Sequence, residues 1–303
     1  MLPDTDELAE VLLDLAVPHE DIDELIAARR MLTADSGAMR LLAECTEELV
    51  RDIGKIIEYG DGLQLGERVA EAPAALRRFF AAYVFVAALP HTRAYHRALG
   101  IPADVSRRTL ADLGRNMVVH RRRHGRAGVQ SPQWLTLHFR GELYQLGRLQ
   151  FQRADLWTGA ASVLAQAGFD GAAGTPCLDI HIPEFLGPLT PAACDRSVAL
   201  AREFFALHHP EERYRAAMCH SWLLDPQLKR YLNADSNIVR FQERFRIARR
   251  GSAPADTEPV QFVFGDPELA VAGLPRRTSL ERAVGDHLRA GGHWYMGHGW
   301  FPL

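Results

Sequence analysis

The spacing of apolar side chains changes once along this chain, and the change restricts which folds the chain can adopt. Up to about residue 126, apolar residues recur every three or four positions, which is typical of amphipathic helices. After residue 134, short segments alternate between apolar and polar residues, which is typical of strands. Between them, residues 121–133 pass from a basic cluster to Gly, Ser and Pro, as expected of a connector. We therefore predict a helical domain over 1–126 and a second domain over 127–303.

The first domain is predicted to be an all-α bundle, because no stretch of it shows convincing strand alternation. Asp4 or Thr5 is expected to cap a helix that carries the apolar residues of 8–15. A bulky and largely buried helix is expected over 73–89, and Ser106 is expected to cap a later helix.

Composition and charge exclude several classes of protein. The 35 basic and 38 acidic side chains leave a net charge of -3, so no strong field favours nucleic acid or an acidic membrane surface. No run of about 18 apolar residues occurs, which excludes a membrane-spanning helix. The acidic start does not resemble a signal peptide, and the four cysteines show no CxxC spacing. We therefore expect a cytoplasmic protein with reduced thiols.

The second domain is predicted to begin with a hairpin. Two alternating blocks fill 134–157, with the hairpin turn expected at 140–142 and a β-bulge expected near Gly147. A third strand is expected over 177–182. A helix follows it, because Thr190 is a good N-cap and the proline after it suits the first helical position.

The rest of the chain alternates between short strands and helices. A capping box of Thr278 and Glu281 predicts the beginning of the last helix. Together, these segments predict an α+β domain with one mixed, mainly antiparallel sheet and flanking helices. The predicted elements are a strand over 214–224, helices over 226–232 and from Ser236, and strands over 245–248 and 260–264.

Four stretches of the chain together resemble a known family. They are YQLGRLQFQ (144–152), LDIHIPEFLGPLTPAACDRS (178–197), CHSWLLDPQL (219–228) and SNIVRFQERF (236–245). In this order they are similar to the two-domain bacterial acyltransferases that join a helical N-acyltransferase N-terminal domain to a GNAT-like C-terminal domain. The resemblance covers most of the chain. It implies transfer of an acyl group from acetyl-CoA or another acyl-CoA to a small-molecule or peptide amine.

The resemblance also implies where the acyl-CoA binds. In such enzymes the strand before the main helix lies along the acyl group, and the loop after it holds the pyrophosphate at the helix N-terminus. The family's loop has Arg or Gln, two residues, Gly, one residue, and Gly or Ala, whereas this loop has only Gly187, followed by Pro188, which lacks an N–H. A carrier-protein thioester, or a site that has lost acyl transfer, is therefore an alternative. The residues predicted to bind the cofactor are Ile182, Phe185, Leu186, Gly187, Leu189 and Thr190.

Acylation of an amine requires a base for the amine proton, donors for the oxyanion and an acid for the leaving thiolate. Glu184 and His181 stand at the end of the strand before the loop, where the resemblance implies this chemistry. Glu184 is the better candidate for the base, and His181 would titrate near neutrality. For each residue, a purely structural role is as plausible as a catalytic one. Glu184 would then be a carboxylate at the edge of the loop, and His181 would be hydrogen-bonded within the sheet. Tyr231 is a candidate for the acid.

Cys219, His220 and Ser221 are consecutive on the predicted fourth strand. The resemblance implies that this strand parts from its neighbour to form a slot for acyl-pantetheine, so Cys219 and Ser221 are candidates for substrate binding. Neighbouring residues of a strand point to opposite faces, so His220 could activate only a nucleophile from another element. A small buried residue is the favoured interpretation of Cys219. Asn237, which follows the predicted cap Ser236, is a further candidate for substrate contact.

The sequence therefore predicts an N-acyltransferase, with two alternatives. One is a non-catalytic binding or regulatory protein on the same fold, suggested by the altered loop. The other is a thioester or amide hydrolase that uses the same slot with water as the acceptor. No metal is predicted, because the histidines show neither HExxH nor finger spacing, and GxGxxG and GxSxG are also absent. The sequence leaves the oligomeric state open.

Overall fold

The computed structural model describes residues 2–58, 60–166 and 169–303. The chain divides into two compact units, Met1–Gln145 and Leu146–Leu303. Helices build the first unit, and a mixed sheet with helices builds the second, as the change in apolar spacing predicts. None of the described helices is both long enough and apolar enough to cross a lipid bilayer.

Helices follow one another through the first unit, so the predicted helical bundle is confirmed. The first of them begins at a capping box. The Asp4 side chain accepts the N–H groups of Asp6 and Glu7, and the Glu7 carboxylate accepts the N–H of Asp4. The helices are α1 (Thr5–Asp14), α2 (His19–Ala34), α3 (Ser36–Arg51), α4 (Leu65–Glu71), α5 (Arg77–Ala98), α6 (Ala103–Leu110), α7 (Asp112–His124) and α8 (Pro132–Arg140).

Helix α5 supplies much of the core of the first unit. Residues 79–89 are buried without interruption, so this part of the helix is covered on every side. Phe85 stacks on Phe139 of α8, with the two ring centroids 4.5 Å apart. The bulky helix predicted over 73–89 is therefore confirmed, and it continues past Pro90.

Ser106 does not cap a helix, so this prediction was wrong. It lies inside α6, where its hydroxyl is 2.7 Å from Nδ1 of His96, and both side chains are buried. A capping signal is read from neighbours in the sequence, whereas the partner of this serine lies in α5. The hydroxyl satisfies a core histidine instead of a helix end.

The strands of the second unit form one sheet. They are β1 (Leu143–Leu146), β2 (Leu149–Asp155), β3 (Pro176–His181), β4 (Ala216–Ser221), β5 (Arg246–Arg250) and β6 (Gly297–Pro302), and β1 begins before the division between the units. The order across the sheet is β1-β2-β3-β4-β6-β5. Only β3 and β4 are parallel among the pairs β2–β3, β3–β4, β4–β6 and β5–β6. The predicted α+β fold with a mixed, mainly antiparallel sheet is confirmed.

Three local capping signals of the second unit are also confirmed. Thr190 accepts a backbone N–H at the start of the helix after β3, and Ser236 does the same for the short helix after β4. Thr278 and Glu281 form the predicted capping box of the last helix. The helices are α9 (Thr158–Gln166), α10 (Pro191–His208), α11 (Asn237–Gln242), α12 (Thr257–Phe264) and α13 (Ser279–Arg289).

The first strand predicted for the second domain is helix α8 instead. Leu135 and Phe139 are about one helical turn apart and both fully buried, so their spacing fits a helix as well as a strand. Gly141, with φ +72°, ends the helix in the left-handed region. The hairpin turn predicted at 140–142 is therefore wrong. The chain turns between β1 and β2 at Gly147, with φ +70°, where the sequence predicts a bulge.

Two further differences lie late in the chain. Residues 260–264 belong to helix α12 rather than to a strand, and Gly265, with φ +85°, ends that helix. The glycine-rich tail, for which the sequence predicts no strand, forms β6. Its glycines are required by close packing, since a Cβ would lie 2.6 Å from a carbonyl oxygen at Gly297 and 2.8 Å from Cβ of Phe245 at Gly299.

Candidate active site

The two parallel strands of the sheet separate at one end. Leu178 is opposite Ala217 and Asp179 is opposite Met218, and the pairing then stops, although β3 continues to His181 and β4 also runs on. On its other side, β3 stays paired with β2 along its length. Strands β3 and β4 therefore enclose a slot that begins after Asp179.

The loop after β3 turns sharply into α10. Leu186 has φ +75° and Gly187 has φ +80°, so both occupy the left-handed region. That conformation is unfavourable for a leucine by about 1–2 kcal/mol. Helix α10 has 18 residues and starts at Pro191, and the positive end of its dipole favours an anion at this point. The loop and the helix end meet next to the slot.

A cavity of about 440 Å³ lies beside this loop, with a mostly apolar wall. It brings together the predicted site residues Ile182, Glu184, Gly187, Leu189 and Asn237. The other predicted loop residues, Phe185, Leu186 and Thr190, do not line it. Its remaining lining residues are Arg148, Pro188, Leu223, Leu232, Ser236, Ile238, Phe262, Ser279 and Leu280.

One face of the sheet carries histidines near the slot. Strand alternation places Asp179 and His181 of β3 on the same face as His220 of β4 and His298 of β6. His220 and His298 are opposite each other in the ladder, with ring centroids 4.0 Å apart. The indole of Trp157 lies 6.1 Å from the His298 ring. These histidines do not form a metal site, because the described part of the chain has no group of three or more His, Cys, Asp or Glu side chains placed to hold a metal ion.

Helix α10 covers the other face of the sheet. Leu178 points away from the side of Asp179, and it lines a separate cavity of about 320 Å³ together with Ala201 and Phe205 of α10. The 440 Å³ cavity is lined by Gly187, Pro188 and Leu189 of the loop that leads into the same helix. The slot is therefore flanked by the histidines on one face and by this cavity on the other. A ligand that fills the slot can contact both.

Asp179 and His181 are the titratable groups of β3 that lie toward the slot. Burial raises the pKa of the Asp179 carboxyl to about 6. Nε2 of His181 is 2.9 Å from Oε1 of Gln152 on β2. Because an amide oxygen only accepts hydrogen bonds, Nε2 carries the proton of the neutral ring, which leaves the lone pair on Nδ1. His181 is thus held in a tautomer that accepts a proton at Nδ1. Sequence reasoning found His181 but missed Asp179 and Gln152.

The three consecutive residues of β4 have different environments. Burial lowers the pKa of His220, and the negative charge of Glu258 partly opposes this. Cys219 is 2% exposed, and burial raises its pKa far above the usual range. A thiol held in this form is a poor nucleophile. The Ser221 hydroxyl accepts the N–H of Leu223 at 3.1 Å and so caps the 3-10 turn that follows the strand.

Tyr231 lines a third cavity, of about 390 Å³, and makes a hydrogen bond to His287. Its hydroxyl is 2.9 Å from Nδ1 of His287, while Nε2 of that ring is 3.1 Å from the carbonyl oxygen of His293. A carbonyl oxygen only accepts, so Nε2 carries the ring proton and Nδ1 accepts from the tyrosine. The proton of the Tyr231 hydroxyl is therefore directed at His287.

Arg148 lines the 440 Å³ cavity and was missed by sequence reasoning. Its side chain is largely buried, and its Nε donates to the carbonyl oxygen of Gly187 at 2.7 Å. Its backbone N–H donates to the Ser197 hydroxyl, also at 2.7 Å. The local signal is limited to an arginine after Gly147, in a stretch where apolar residues alternate with glutamines. The fold brings that arginine to a loop about forty residues later in the chain.

Two family models together match almost the whole chain. The model described as N-acyltransferase N-terminal domain matches residues 6–141. The model described as GNAT-like C-terminal domain matches residues 143–301. No curated protein matches the chain.

Solved structures of acyltransferases are similar to the chain over its full length. One is an acyltransferase in complex with decanoyl-CoA, with 37% identity, a TM-score of 0.85, and coverage of 100% of this chain and 89% of that chain. A second, in complex with decanoyl-CoA and teicoplanin, has 36% identity, a TM-score of 0.84, and coverage of 100% and 90%. A third, in complex with CoA and 10C-teicoplanin, has the same identity, TM-score and coverage as the second.

Proposed function

Because the chain belongs to the family of acyltransferases that joins an N-acyltransferase N-terminal domain to a GNAT-like C-terminal domain, we propose that it transfers an acyl group from an acyl-CoA to an amine. The similar structures that hold decanoyl-CoA support an acyl-CoA as the donor. The one that also holds teicoplanin supports a small molecule or a peptide as the acceptor.

The observation that carries this proposal is the separation of β3 and β4 beside α10. The amide groups of a pantetheine chain can pair with the backbone of a strand, and β4 does not pair with β3 beyond Asp179. The N-terminus of α10 lies at the end of the loop that follows β3, and it attracts phosphate groups. These features support a donor that lies along β3, with its phosphates toward α10.

In this arrangement, His181 takes the proton from the acceptor amine. An ammonium group has no lone pair, so the amine must lose a proton before it attacks the thioester carbonyl. Nδ1 of His181 holds that proton while the N–C bond forms and the C–S bond breaks. The attacking nitrogen then gives up a second proton, which passes through water to the departing thiolate, so CoA leaves as a thiol. Gln152 fixes the required tautomer. Glu184, the other candidate for the base, lines the cavity on the opposite face, so we assign it to donor contact.

The remaining predicted residues are assigned by their position. His220 shares the face of His181, and burial favours its neutral form, so we assign it to acceptor contact. Cys219 and Ser221 form the β4 side of the slot, and Asn237 lines the donor cavity. Since the hydroxyl proton of Tyr231 is donated to His287, water is the proposed source of the thiolate proton.

Asp179→Asn is expected to stabilise the protein above pH 6 and to lower its activity. The folded state raises the pKa of Asp179 to about 6, so the stability this carboxyl contributes is complete below its ordinary pKa and is lost as the pH rises through 6. An asparagine cannot ionise, so at pH 8 the variant should gain about 2 kcal/mol in free energy of unfolding. Activity should fall about tenfold, because the nearby negative charge favours protonation of His181.

Thermal unfolding between pH 8 and pH 4, together with kinetics at pH 8, measures both effects. The gain in melting temperature should shrink steadily as the pH is lowered. A gain that is independent of pH would show that the Asp179 carboxyl is not the destabilised group. The exposed Asp23 of α2 provides the matched control, Asp23→Asn.

Release of CoA thiol from decanoyl-CoA, with and without teicoplanin, tests the proposed function. Thiol release should require the amine. The amount of thiol released should equal the amount of acylated amine detected by mass spectrometry. Thiol release without any amine would instead identify a thioester hydrolase. If no thioester is consumed, and neither acetyl-CoA nor decanoyl-CoA raises the melting temperature, the protein does not use an acyl-CoA and the proposal is wrong.

A further inference from the structure

Arg148 has an unusual environment for a charged side chain. The residue is only 9% exposed, and its Nε is committed to the carbonyl oxygen of Gly187. Its Nη1 is buried, and among the described residues none accepts a hydrogen bond from it. A buried guanidinium is unfavourable unless its N–H groups find acceptors and its charge finds a partner. Burial accordingly lowers the pKa of Arg148, although an arginine stays protonated at neutral pH.

The place of Arg148 suggests what that partner is. The side chain lines the 440 Å³ cavity together with Gly187 and Pro188, which belong to the loop that leads into α10. The dipole of this 18-residue helix favours an anion at the same point. The buried guanidinium and the helix end are independent observations, and both point to a bound anion.

The loop and the first turn of α10 together offer few free backbone N–H groups to a phosphate. Pro188 and Pro191 have no N–H, and the N–H of Ala193 is already used by the Thr190 hydroxyl. An anion at this helix end therefore needs another donor. The guanidinium of Arg148 is the cation of the described lining that reaches the loop, and its bond to Gly187 holds it in one orientation.

We propose that the guanidinium of Arg148 binds a phosphate oxygen of the thioester donor, in place of the donors that Pro188 and Pro191 cannot supply. This rests on the proposed function, in which an acyl thioester lies along β3 with its phosphates toward α10. The pyrophosphate of CoA and the single phosphate of a carrier-bound phosphopantetheine both offer such an oxygen. Arg148 thus selects the phosphate end of the donor and takes no part in the reaction of the thioester.

Three decanoyl thioesters separate these possibilities, namely those of CoA, of 4′-phosphopantetheine and of pantetheine. Arg148→Met should lower kcat/KM about 10- to 100-fold with decanoyl-CoA, which is the range expected for a lost hydrogen bond to a charged group. It should leave kcat/KM unchanged with decanoyl-pantetheine, which has no phosphate. An equal loss with both donors, or no loss with either, would overturn the proposal. Loss with the 4′-phosphopantetheine thioester as well would place the contact at the phosphate nearest the pantetheine, and loss with CoA alone would place it farther out.

Two further variants keep the result interpretable. Arg148→Lys retains the positive charge but cannot bond the Gly187 carbonyl and a phosphate in the same fork geometry, so it should show the same dependence on the phosphate with a smaller loss. It also serves if the methionine variant does not fold. Arg202→Met removes an exposed arginine of α10 that lies away from the first turn of the helix. It should leave kcat/KM unchanged with all three thioesters. If the unmodified protein uses none of the three thioesters, the proposed function fails; if it uses them and only the dependence on phosphate is missing, this inference alone fails.

Discussion

His181→Ala is expected to lower kcat by about a thousandfold, while the KM for decanoyl-CoA changes little. Removal of a general base costs about 10²- to 10⁴-fold in rate, and the donor is held by other groups. His181 lies on the slot face opposite the phosphate cavity, and Gln152 holds its ring so that Nδ1 accepts a proton. Steady-state kinetics with decanoyl-CoA and teicoplanin, with thiol release as the signal, measures the loss.

Two other variants give that result its meaning. His19→Ala removes an exposed histidine at the start of α2 and should leave kcat unchanged. Glu184→Gln tests the competing base directly. If Glu184→Gln loses a thousandfold in kcat while His181→Ala stays active, the base is Glu184 and the assignment to His181 is wrong.

Glu212→Gln is expected to lower the free energy of unfolding by about 3 kcal/mol near pH 7, because it breaks a buried ion pair. The side chain of Arg153 is 4% exposed, and its Nε donates to the Glu212 carboxylate at 2.8 Å. Nη2 of Arg153 and the hydroxyl of Tyr214 donate to the same carboxylate. The substitution takes the carboxylate away from a guanidinium that water barely reaches. Urea unfolding monitored by circular dichroism measures the loss.

The same substitution should change how stability depends on pH. Burial disfavours the charged form of Glu212, but the hydrogen bonds from Arg153 and Tyr214 outweigh it and hold its pKa below the usual value. A lowered pKa adds stability above the ordinary carboxyl pKa, and that stability is lost as the pH falls through the folded pKa. The variant should therefore lose less stability than the unmodified protein below about pH 5. Glu211→Gln, at the exposed neighbouring position, is the control, and equal pH slopes in all three proteins would contradict this explanation.

Local signals in the sequence were sufficient to predict the helices and the strand that surround the slot. Thr190 followed by a proline, and Thr278 three residues before Glu281, both predict helix starts that the structure has. Capping depends on groups within one helical turn, so a single sequence contains the whole signal. Strand β3 was predicted because its apolar residues alternate over 177–182.

Other elements depend on distant partners and could not be predicted in this way. Strand β6 resembles a loop in the sequence, because glycine weakens a strand. Gly297 and Gly299 are needed there only because neighbouring atoms leave no room for a Cβ. Residues 260–264 form an apolar run too short to distinguish a helix from a strand. Arg148 and Asp179 acquire their properties only through burial, which no local pattern reveals.

A crystal structure of the protein with a decanoyl-CoA analogue, in which a thioether replaces the thioester, would show where the donor lies. The pantetheine chain should occupy the slot, with an amide within hydrogen-bond distance of the β3 backbone beyond Asp179 and a phosphate at the first turn of α10. If β3 and β4 pair along their full length in that complex and the analogue binds elsewhere, this account of the site is wrong.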